Sequence, residues 1–130
     1  MIILKSIDIE DEIRKALMDY IPVYVRPLPE GFAVPSVLIE MMGGTTENTI
    51  DTFNVRLSSR ANTDAEALEL LNIAVGVLDH QGKAQIGALR YTIQNSLASW
   101  GNDPIRPNLK LATAMVQVIA HKESFEIEES

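Results

Sequence analysis

The stretch from Lys110 to His121 constrains this chain more than any other. Ala112, Ala114, Val116, Val118 and Ala120 fall on one face of an extended strand, and Leu111, Met115 and Ile119 fall on the other. A strand with a solvated face alternates apolar with polar residues, so this one needs cover on both sides. The cover is either a helix of the same chain or a neighbouring subunit, and an apolar patch too large to leave in water favours the neighbour. The run is too short to cross a bilayer as a helix, which takes about 20 apolar residues.

The remaining elements follow from periodicity and from residues that break it. Ile9, Ile13, Leu17 and Tyr20 recur at helical spacing, and Asp8, Glu10, Asp11 and Glu12 crowd the first turn, where the helix dipole favours anions. Pro22 cannot continue that helix, and Val23, Tyr24 and Val25 predict a short strand before the Pro27, Pro29, Gly31 and Pro35 loop. A strand over Ser36 to Met42 is expected to break at Gly43-Gly44-Thr45-Thr46. A second starts near Thr49, with Phe53, Val55 and Leu57 alternating against Thr52, Asn54, Arg56 and Ser58. These two should pair as a hairpin whose tip, about six residues long, projects from the body.

Thr63-Asp64-Ala65-Glu66 fits a capping box and opens a second helix. Its stripe is Leu68, Leu71, Val75 and Leu78, widened by Leu70, Ala74 and Val77, and Gly82 closes it just beyond His80. Ile86, Leu89, Tyr91 and Ile93 suggest a further strand, followed by the loop Gly101-Asn102-Asp103-Pro104. Glu123, Glu126, Glu128 and Glu129 beside Phe125 and Ile127 read as a solvated acidic tail over 123–130, though the alternation could also pair with a partner's exposed edge. The expected fold class is α+β. A single domain over residues 1–122 should carry a mainly antiparallel sheet of about four or five strands with two helices packed on it.

Composition narrows the function classes. A chain of 130 residues suffices for one core, and with 5% aromatic residues that core must be aliphatic, leaving few rings for stacking bases. Eleven Lys and Arg against eighteen Asp and Glu give a net charge of -7, which repels a phosphate backbone. Arg56 and Arg60 lie close in sequence but make no basic stripe. The absence of cysteine removes disulfides, thiolate metal sites and cysteine nucleophiles, and is compatible with a reducing cytoplasm. Lys5 follows only a few apolar residues, which leaves no room for the apolar segment of a signal peptide, so neither export nor a membrane partner is expected.

No reactive signature outweighs its structural alternative. Asp79-His80 could form an oriented general base, but a histidine near a helix end is favoured by the dipole alone, and no serine sits in a nucleophile elbow. His121, the other histidine, stands beside Lys122 at a strand end, and two distant histidines make no zinc site. Asp8, Glu10 and Glu12 mimic calcium-loop ligands, yet Ile13 stands where the loop needs glycine, so helix capping explains them better. Gly43-Gly44-Thr45-Thr46 lacks the lysine of a phosphate-cradling turn. Trp100 either anchors an interface or caps the end of the core. No catalytic, metal or cofactor residue is assigned. The interface candidates are Gly43, Gly44, Thr45, Thr46, Arg56, Arg60, Trp100, Leu111, Met115 and Ile119.

The order helix, strand, hairpin, long helix, strands, with Pro35-Ser36-Val37-Leu38-Ile39-Glu40 opening the hairpin, resembles the tail terminator and tail-completion proteins of long-tailed phages. The resemblance is densest over Phe53-Asn54-Val55-Arg56-Leu57-Ser58-Ser59-Arg60 and into Thr63-Asp64-Ala65-Glu66-Ala67. It returns at the Trp100 loop and the last strand, so that it covers roughly Ile9 to Lys122. It implies a structural protein of the virion's head-tail junction, assembled in the host cytoplasm. Such a protein forms a hexameric ring that caps the tail tube, stops its polymerisation and meets the head connector or stopper protein. DNA would pass through the lumen without specific binding, and neither cofactor nor catalysis is implied. The nearest rivals are another neck component, such as a head-completion or stopper protein, and a small enzyme or ligand-binding domain built on the Gly-rich tip and Asp79-His80.

Overall fold

A computed structural model describes residues 1–84, 89–94 and 98–129, with the backbone alone for 89–94. Helix α1 (Ile9–Leu17) starts at Asp8, whose side chain accepts a hydrogen bond from the Asp11 amide. Helix α2 (Asp64–Lys83) starts at Thr63, whose Oγ1 accepts from the Glu66 amide at 3.2 Å. The capping readings of both acidic starts therefore hold. Tyr20 lies beyond the end of α1 and is exposed, because the helix stops before the position that its periodicity assigns to the core. Gly82 does not close α2; it is buried inside the last turn, and the helix runs on to Lys83.

The main sheet is built on β4 (Ile50–Ala61), which pairs with β3 (Ser36–Glu47) on one side and β7 (Lys110–His121) on the other, both antiparallel. The outer strands are β2 (Val23–Val25), parallel to β3, and β5 (Leu89–Gln94) and β6 (Ser99–Asn102), which pair with successive parts of β7. The short strand at Val23–Val25 and the last strand at Lys110–His121 lie where the sequence places them, and Ile86 falls outside the described residues. The mainly antiparallel α+β domain with two helices is as expected; among the described residues its main sheet has six strands, against the four or five expected.

Both helices lie on one face. Ile13 and Leu17 of α1 and Leu71, Ala74 and Leu78 of α2 form one cluster with Val37, Ile39, Val55, Leu57, Val116 and Val118 from the inward positions of β3, β4 and β7. The Gln81 side chain donates to the Ala16 carbonyl at 2.8 Å and ties α2 to the end of α1. The alternating face of β7 is therefore covered by the chain itself, as its small Ala and Val side chains allow.

Two parts of the hairpin and termini differ from expectation. Gly43 and Gly44 do not break the strand: β3 passes through them with a register shift between Met41 and Gly43, a bulge that the left-handed φ of 122° at Gly43 permits. The reversal falls at Asn48-Thr49 instead, where Asn48 takes φ 52°, so the tip is a tight turn and the strands are longer than predicted. The acidic segment is not a free tail. Glu123–Glu126 form β8, antiparallel to β1 (Ile2–Lys5), an N-terminal strand with no counterpart in the sequence reading.

Candidate interaction site

The register of β4 with β7 sets Arg56 opposite Met115, Arg60 opposite Leu111 and Thr52 opposite Ile119. Five of the predicted interface residues thus share the sheet face turned away from the helices. Leu111, Met115 and Ile119 are partly buried there, on the face opposite both described helices. Arg56 reaches across to Glu40 of β3, with Nη2 at 2.9 Å and Nε at 3.1 Å from Oε1, and the pair stays partly exposed.

Arg60 is a correction. It is 6% exposed, and its Nε lies 3.0 Å from Oδ2 of the fully enclosed Asp103. The other Asp103 oxygen accepts from the Ile105 amide at 3.0 Å, and the Phe32 ring lies near both guanidiniums, its centroid 5.7 Å from Cζ of Arg60 and 3.9 Å from Cζ of Arg106. Arg106 also donates to the Glu30 carbonyl at 3.0 Å. Two loops, one after β2 and one before β7, are thereby folded over one end of the face opposite the described helices. This explains why Ser58 and Arg60 are buried where strand alternation predicts solvent. Arg60 stabilises the subunit and offers no surface to a partner.

Trp100 sits on β6 opposite Ala112 and is 50% exposed, so it does not close the core. Gly43, Gly44, Thr45 and Thr46 line a cleft of about 220 Å³ together with Ser6, Met41, Asp51, Thr52 and Phe53. Gly44 is required there, because any Cβ at its position would run into the Thr52 carbonyl across the pair. Asp51, beneath this cleft, is 4% exposed, and neither of its oxygens has a partner in full hydrogen-bonding geometry. Burial pushes its carboxyl up, but the hydroxyls of Ser6 and Thr46 and the Lys122 ammonium, 4.0 Å away, prevail and hold it below the ordinary carboxylate range. Sequence reasoning passed over Asp51, although the alternation of Phe53, Val55 and Leu57 already points it inward.

The residues weighed for chemistry are dispersed. Asp79 pairs with Lys83 at 2.9 Å one turn along α2, and His80 is exposed on that helix. His121 is exposed at the end of β7, opposite Ile50. Glu10 accepts from the Arg26 guanidinium at 2.6 Å and from the Met41 amide at 2.9 Å, which fastens the start of α1 to β3. Among the described residues no group of three His, Asp or Glu is placed to hold a metal, and no helix is long and apolar enough to cross a membrane. No known family model matches this chain, and no curated protein matches it in sequence.

Proposed function

We propose that this chain is a structural assembly protein that forms a closed ring, capping the tail tube of a long-tailed phage and joining it to the head connector. The ring would be a hexamer, as the resemblance to tail terminators implies. The observation that carries the reading is the sheet face opposite the two described helices, where the twelve-residue β7 sets the partly buried Leu111, Met115 and Ile119 in one row and described loops fold over the Arg60 end. An aliphatic row on a stiff sheet suits flat contact with another subunit better than it suits a small ligand, which needs a concave pocket with convergent polar groups. A net charge of -7 fits a lumen through which DNA slides without sticking. The ligand-binding alternative retains the hairpin cleft, but neither Asp79 nor His80 lines it.

The test is to polymerise the cognate tail-tube protein with and without this chain and to measure tube lengths by electron microscopy. Short tubes ending in a ring support the reading, and an unchanged length distribution contradicts it. Copurification with filled heads instead of tubes would assign the chain to a head-completion or stopper role.

A further inference from the structure

Two features of the domain remain unsatisfied by the subunit itself. The first is the ribbon of β1 and β8. Ile2 is 73% exposed, Leu4 49% and Phe125 46%, although a two-stranded ribbon is at best marginal in water without a surface to pack on. Its root is nonetheless fixed. Ser6, just after β1, lines the hairpin cleft, and Lys122, just before β8, donates its amide to the Thr49 carbonyl at 2.8 Å beside Asp51. The ribbon is a held arm.

The second feature is a groove. A further cleft of about 290 Å³, lined by Ile7, Ile9, Glu10, Arg26, Met41 and Phe53 among others, shares Met41 and Phe53 with the hairpin cleft. Together they run along β3 and reach onto β4 at Asp51–Phe53. The outer edge of β3 is paired with β2 only at Val37–Ile39, and the backbone of Met41 is taken by Glu10 and Arg26. From Met42 to Glu47 no described strand pairs with it. A free strand edge beside an apolar groove is the arrangement that accepts an added strand, the main chain supplying affinity and the groove selecting side chains.

We infer that this groove receives strand β1 from a second copy of the chain, which pairs with the free edge of β3 and sets Ile2 or Leu4 into the cleft beside Met41 and Phe53. Charge favours β1. Asp8 lines the groove and Glu47 ends the free edge, while Glu10 is already paired with Arg26, so β8 with Glu123 and Glu126 would meet like charges, whereas β1 carries no acid. The free stretch of β3 is also long enough for the four residues of β1. Ribbon and groove are different patches of one subunit, so the contact repeats head to tail, as closure into a ring demands. The inference rests on the ring reading and names the contact that would build it.

Two variants test it: Ile2→Glu with Leu4→Glu on the ribbon, and Thr46→Pro on the edge, where the alternation of the ladder turns the Thr46 N–H away from β4; all are exposed positions. Mass by light scattering would be followed over a range of concentrations, alone and with tail-tube protein, with circular dichroism melts to show that each variant is folded. The wild type should assemble and each variant alone should stay at the 14.4 kDa of one chain. A mixture of the two should give a species of twice that mass, since one intact ribbon and one intact groove remain. Variants that assemble like the wild type overturn the inference and leave the ring reading standing. A wild type that stays monomeric in both conditions overturns both.

Discussion

Replacing Asp103 by Ala should be among the most destabilising single changes in this domain. The Arg60 side chain is 8% exposed and its Nη1 makes no hydrogen bond, so without Asp103 its charge stays enclosed beside the Phe32 ring. Removing one partner of a buried pair costs about 3–5 kcal/mol, and the loss of the Ile105 amide's acceptor comes on top. Against a total stability on the order of 5–15 kcal/mol this is a large fraction. At about 4 °C per kcal/mol for a domain of this size, the melting temperature should fall by roughly 12–20 °C. Urea and thermal melts followed by circular dichroism read both numbers. Arg60→Met combined with Asp103→Leu should recover most of the loss, because apolar replacement removes both charges at once. A loss below about 1 kcal/mol for Asp103→Ala would refute the reasoning, since it would mean that water reaches and screens Arg60.

Three further outcomes follow from local geometry. Asp51 has a lowered folded pKa, so its ionised form contributes stability that is complete above the ordinary carboxylate value of 3.8 and is lost as pH falls through the folded value; Asp51→Asn should flatten the pH dependence of the urea midpoint below about pH 4, and an unchanged slope would contradict the assignment. Gly44→Ala should cost about 1–3 kcal/mol, through the clash with the Thr52 carbonyl and a φ unsuited to a side chain, read as a lower urea midpoint at unchanged slope. Thr63→Ala should cost about 1 kcal/mol through loss of the α2 cap, measured in the same way.

The parts of the fold that were legible in the sequence are those fixed by local chemistry. Asp8 and Thr63 announce their helices because a cap needs an oxygen at one position, and Lys110–His121 reads as a strand because its period of two is unbroken. Gly43-Gly44 misled because the same freedom that breaks a strand also permits a bulge, and only pairing with β4 decides between them. Strand β1 and the strand in the acidic tail were invisible for a related reason: each is short, and each exists through a partner more than a hundred residues away in sequence. The interface candidates were half legible. Strand alternation brought Arg56, Leu111, Met115 and Ile119 to one face, but it could not foresee that Phe32 and Asp103 would arrive from two loops and enclose Arg60.

The most direct test of the assembly reading is the mass of the wild-type chain in solution, by light scattering behind a sizing column, over a range of concentrations and then with tail-tube protein added. The ring account predicts one closed species of about six subunits, formed either alone or on the tube, with no continued growth, since a head-to-tail contact whose rotation closes is self-limiting. A 14.4 kDa monomer at every concentration, indifferent to the tube protein, would contradict it.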